Sequence, residues 1–106
     1  MRLLMFNVDS QHVTRDPDCD FTGLVAGTRK YLKARFSFSQ EWDECTLVAA
    51  SFWRGGKEYA IRLKNGECDI PSEALTGKTF SVSVTGQRGD YRITTNRVTV
   101  RQEVSR

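Results

Sequence analysis

The chain has 106 residues and a net charge of +3, from 16 basic and 13 acidic side chains, with a single histidine. That length suits one domain able to bury its own core, and charge this mild and scattered excludes the concentrated basic face of a nucleic-acid binder. No stretch approaches the roughly 18 apolar residues of a membrane-spanning helix.

Met1 to Val8 is a short apolar run whose one charge is Arg2. It reads as a first strand, or as an arm that pairs with something else, and it is too short for a signal peptide. Asp9 to Asp20 is polar, with a turn marked by Asp16-Pro17-Asp18. Phe21 to Gly27 reads as a loop or a short irregular strand. Residues 1–28 are therefore expected as an N-terminal strand or arm and loop, part of or appended to a domain spanning residues 29–106.

Arg29 to Ser39 alternates cleanly. Leu32, Ala34, Phe36 and Phe38 fall on one face, and Lys33, Arg35, Ser37 and Ser39 on the other. Gln40 to Glu44 breaks the pattern with an acidic segment around Trp42. Trp42 either folds back over the core edge or offers a stacking platform to a sugar. Thr46 to Arg54 is the next strand, with Val48, Ala50 and Phe52 inward. Its second face carries Leu47, Ala49, Ser51 and Trp53, apolar enough to be covered or to meet another chain. Gly55-Gly56 is compatible with a type I′ turn. Lys57 to Lys64 returns with Tyr59, Ile61 and Leu63 inward and Glu58, Arg62 and Lys64 outward. Asn65-Gly66 is the strongest two-residue hairpin signal. Glu67 to Ile70 gives a brief strand, and Pro71 to Leu75 a helical turn with proline at its start.

Lys78 to Val100 predicts a long hairpin. Phe80, Val82 and Val84 alternate with polar residues, and Gly86 to Asp90 supplies turn chemistry through two glycines. Tyr91, Ile93 and Thr95 begin the return, and Val98 and Val100 complete it. The step from Thr95 to Val98 breaks the alternation once, so a bulge near Thr95-Asn96 is expected. Arg101 to Arg106 is a charged tail. About seven short strands with regular turn signals predict an all-β sandwich.

Chemistry is sparse. Cys19, Cys45 and Cys68 form no CxxC pair and have no histidine partner, so they read as reduced, buried thiols without a metal. Whether Cys45 faces Cys68 across the sandwich is open. His12 sits in a polar segment with no nucleophile motif beside it. Asp43, Glu44, Glu73 and Asp90 all fall in turns, where paired carboxylates have no cleft to work in. Arg88-Gly89-Asp90 spells an adhesion tripeptide but reads as turn chemistry. No catalytic residue, metal or cofactor is expected.

The run Phe36-Ser37-Phe38-Ser39-Gln40-Glu41-Trp42-Asp43, the segment Ile70-Pro71-Ser72-Glu73-Ala74-Leu75 and the segment Arg92-Ile93-Thr94-Thr95-Asn96 leading into Val98 and Val100 stand out together. Over Tyr31 to Val104 the chain resembles a small immunoglobulin-like β-sandwich domain of bacteriophage and prophage virion proteins, found in tail, baseplate and head-fibre proteins. The resemblance implies an antiparallel sandwich of about seven strands with no enzymatic activity. It also implies a structural role as a tail, baseplate, head-fibre or capsid-decoration component, made in the host bacterial cytoplasm and placed in the virion. Its partners would be other virion proteins, through a homo-oligomer or docking on a larger ring or shell, without nucleic acid or membrane. Leu3, Leu4, Met5 and Phe6 in the arm, with Leu47 and Trp53, are the candidate contact residues. On this expectation, deleting the first eight residues leaves a folded domain. The alternative is a carbohydrate-binding module for the host surface, stacking sugars on Trp42, Trp53 or Tyr91.

Overall fold

The alternating segments build two facing sheets, and the N-terminal run is part of the first. The structure, a computed structural model, describes residues 1–104, so Ser105 and Arg106 of the expected tail lie outside the described residues. In chain order the strands are β1 (Arg2–Asp9), β2 (His12–Arg15), β3 (Leu32–Phe38), β4 (Leu47–Arg54) and β5 (Lys57–Arg62). They continue with β6 (Glu67–Asp69), β7 (Thr79–Arg88), β8 (Tyr91–Thr94) and β9 (Val98–Arg101). Short 3-10 turns cover Gln40–Glu44 and Ser72–Leu75, and the described residues contain no α-helix. The first sheet runs β2-β1-β3-β6; the second runs β5-β4-β7, with β8 and β9 both paired to the far side of β7.

The sandwich is all-β, as expected, and two features of the first sheet decide between the readings of residues 1–28, a strand of the domain or an appended arm. β1 is no arm: it lies between β2 and β3, and Leu4, Phe6 and Val8 on its inner face are buried. It also runs parallel to β3, in register from Arg2↔Leu32 to Val8↔Phe38, so this sheet is mixed rather than antiparallel. The register sets Phe6 against Phe36, whose rings stack at 5.2 Å between centroids. A β1–β2 hairpin through Ser10-Gln11 then forms from the segment read as polar turn, with Ser10 at a φ of 54°. β1 and β2 thus belong to the same sheet as β3 and β6.

The second sheet follows its alternation closely. Ala50 and Phe52 of β4 meet Val82 and Val84 of β7, all fully enclosed. The expected bulge is present. Thr85 pairs with Thr94 and Val82 with Val98, so Ser83 and Val84 face three residues, Thr95, Asn96 and Arg97. Thr95 fills the ladder twice: its amide donates to the Val84 carbonyl at 3.0 Å, and its hydroxyl accepts from the Val84 amide at 2.9 Å. The extra residue returns Ile93 and Val100 to one face, and both are buried.

Three turns differ from the reading. Only Gly55 of Gly55-Gly56 has a positive φ, which rules out a type I′ turn, where both central residues need one. Asn65-Gly66 has both positive φ values but joins strands of different sheets, β5 and β6, with Lys64 and Glu67 bridged across it. Gly86 is not in the turn at all. It lies within β7, where a Cβ would stand 2.5 Å from the Cys45 Sγ and 2.9 Å from the Trp42 ring. Glycine is required there because Trp42 packs directly on the strand backbone.

Candidate functional site

A two-sheet sandwich has two long seams where edge strands of one sheet approach edge strands of the other, and the two seams here differ. The seam of β2 with β8 and β9 is stitched by side-chain and main-chain hydrogen bonds. Asp16 donates its amide to the Met5 carbonyl at 2.9 Å, so alternation leaves Gln11, Val13 and Arg15 of the β2 segment turned away from β1. Val13 then gives its amide to the Asn96 Oδ1 at 2.8 Å, and the Gln11 carbonyl accepts the Asn96 amide at 3.1 Å. Gln11 Nε2 donates to the Thr94 carbonyl at 3.1 Å. Farther along, the Ala26 amide donates to Glu103 and the Glu103 amide to Leu24, at 2.8 and 2.7 Å. Leu24 is buried under this strap. At the hairpin end, Trp42 Nε1 donates to the Ser10 carbonyl at 2.9 Å.

The seam of β5 with β6 is open. Leu63 donates its amide to the Val48 carbonyl at 2.9 Å, which fixes the parity of the whole β4–β5 ladder. Residues 57, 59 and 61 face β4 with their main-chain groups, and Glu58, Ala60 and Arg62 face outward. Among the described residues those outward N–H and C=O groups have no main-chain partner. Their side chains stand on the outer face and are exposed, while Tyr59 and Ile61 on the inner face are half-buried against the core edge. β6 offers much less edge, because Glu67 spends both main-chain groups on Lys64, at 2.9 and 3.1 Å. Between the two strands lies a groove of about 550 Å³ lined by Lys33, Arg62, Lys64, Glu67 and Asp69 among others. Arg35 pairs with Glu67 at its margin, at 2.5 Å. That pair is largely in water and contributes under about 1 kcal/mol.

The residues singled out from the sequence scatter. Leu4 and Phe6 are core and cannot form a contact surface; the strand alternation that buries them leaves Leu3 and Met5 half-buried on the opposite face. Leu47 is exposed at the start of β4. Trp53 lies flat on the outer face of the second sheet, its Nε1 donating to the Ser83 hydroxyl at 3.0 Å and its ring covered by the Arg97 guanidinium at 3.5 Å. Trp42 is only 3 % exposed, tilted against Phe38, so it folds over the core edge and is no stacking platform. Tyr91 is exposed near the tip of the β7–β8 hairpin, beside Arg88-Gly89-Asp90. His12 is exposed on β2, and no group of three metal-ligating side chains occurs among the described residues. All three cysteines are free. Burial, with Asp69 beside it, pushes the Cys68 thiol up to about 12, so it stays protonated and unreactive at neutral pH. Burial also raises the Cys45 thiol, with Glu44 adding to it.

Sequence reasoning named Glu58 and Arg62 as outward-facing but missed that β5 is an edge. The signal was present in the Asn65-Gly66 turn, yet a two-residue turn does not say which sheet receives the following strand. No family model, curated protein or solved structure matches this chain.

Proposed function

We propose that the protein is a non-enzymatic structural component of a bacteriophage particle, an immunoglobulin-like sandwich that acts through protein–protein contact. The resemblance over Tyr31 to Val104 supports the family. The strand order supports the finer fold: β3 and β6 stand where strands B and E of such folds stand, and β5-β4-β7-β9 where C′, C, F and G stand. β1 departs from that scheme by running parallel to β3. Fold alone does not give function, and the observation that carries the role is the free β5 edge. It presents three successive outward residues with open main-chain groups, which no proline, bulge or loop guards among the described residues. Such an edge is suited to strand addition, in which main-chain bonds supply affinity and flanking side chains the choice of partner. In a particle carrying many copies, weak contacts of this kind suffice.

The test is incorporation. Gradient-purified particles from cells producing phage should retain the chain through a high-salt wash. Ala60→Pro should reduce that retention strongly without unfolding the protein, because the Ala60 amide faces outward and proline is tolerated on such an edge. Particles that lack the wild-type chain would exclude the role.

A further inference from the structure

We infer that the partner of the β5 edge is a second copy of this chain, paired β5 to β5 antiparallel across a twofold axis at Ala60. The inference rests on the protein-contact reading above and names its partner. Only outward-facing residues can bond to outward-facing residues, so the registers open to a twofold pairing are few. Centred at Ala60, the pairing sets Glu58 opposite Arg62 of the second copy, Ala60 opposite itself and Arg62 opposite Glu58. All three free residues of each strand are used, giving about six new main-chain hydrogen bonds. A centre at Ile61 would set Glu58 against Lys64, whose main-chain groups are already bonded to Glu67. A centre at Tyr59 would leave Arg62 opposite Gly56, with no charge to meet.

Charge complementarity then selects the same register. Glu58 and Arg62 share the outer face, and the twofold repeats their attraction on both sides of the axis, with the small Ala60 between. Glu58 already accepts a hydrogen bond from the Ser51 hydroxyl through Oε2, which leaves Oε1 for the guanidinium. On the inner face Tyr59 meets Ile61 of the second copy. These are the half-buried apolar residues of the open seam, and in this geometry they fall in the non-hydrogen-bonded pairs, where side chains approach most closely. Beyond Arg62 the chain turns toward the other sheet, and Lys64 would lie opposite Gly56, where a Cβ has nothing within 4 Å. The two second sheets become one continuous sheet.

Charge reversal tests this with the full chain, by light scattering over roughly a hundredfold concentration range. The wild type should be a concentration-dependent dimer. Glu58→Arg places positive charge at both positions and Arg62→Glu negative charge at both, so each variant alone should dimerise about tenfold or more weakly. Mixed in equal amounts, the two variants should form a heterodimer as tight as the wild type. Restoration on mixing excludes simple misfolding as the cause of weakening. A wild type that stays monomeric overturns the inference, as does an oligomer that neither variant weakens, or weakening that mixing does not repair. A monomeric chain that still enters particles removes self-pairing alone; a dimer absent from particles removes the virion role alone.

Discussion

The β2 and β5 strands are both short edges, each the first or last strand of its sheet, yet the chain treats them differently. At β2 two of the outward main-chain groups are met from across the seam: Asn96, in the bulge, accepts the Val13 amide on its side-chain oxygen and donates its own amide to the Gln11 carbonyl. At β5 the corresponding groups of Glu58, Ala60 and Arg62 have no main-chain partner among the described residues. Buried or half-buried main-chain polar groups are costly unless paired, so a chain that closes one seam with this care leaves the other open where water, or another chain, can satisfy it. The bulge serves the seam as well as the core, since Asn96, one of the three residues that face Ser83 and Val84, bonds to β2.

The largest losses of stability are expected behind the closed seam. Phe6→Ala removes a fully buried ring stacked on Phe36 and should cost about 3–5 kcal/mol in urea unfolding. Deleting residues 1–8 should abolish cooperative unfolding altogether, which a surviving folded domain would contradict. Asn96→Ala should cost about 1–2 kcal/mol, because it strips the amide of buried Val13 of its acceptor, although Asn96 itself is exposed and water can partly replace it. A cost below about 0.5 kcal/mol would mean that the stitch is ornamental and the seams are alike.

Alkaline pH probes the core beside the open seam. The folded Cys68 thiol keeps its proton to about 12, while the unfolded chain loses it near 9. Between those values the unfolded state binds fewer protons, so this contribution is intact below about pH 9 and falls as pH rises toward 12. At pH 10 the loss from Cys68 is about 1.4 kcal/mol relative to neutral pH. Cys68→Ala should flatten that slope when denaturation is followed from pH 8 to 10. Smallest is the substitution Ala60→Lys on the free edge, expected within about 0.5 kcal/mol of wild type for the monomer. Hydrogen exchange sharpens the contrast: Val13 should be protected, and Glu58, Ala60 and Arg62 should exchange freely in dilute solution and slow with concentration.

Much of the second sheet was legible because alternation there is strict and local. Phe80, Val82 and Val84 set the inner face of β7, and the three-residue step from Thr95 to Val98 marks the bulge. The first sheet was read less well. Met1 to Val8 shows the right residues for a strand, but nothing in a run of apolar side chains says whether its neighbour is in the same chain, or whether it runs parallel. β2 was hidden because its single inward residue, Val13, stands among polar ones.

The sequence by itself determined the all-β class, most strand faces and the position of the bulge, because side-chain alternation is a property of each strand alone. Only the tertiary structure decided that the N-terminal run is core, that Gly86 makes room for Trp42, and that β5 and β6 belong to different sheets. Those depend on which segments meet across long separations, and pairing partners are fixed by complementarity between distant surfaces rather than by any local pattern.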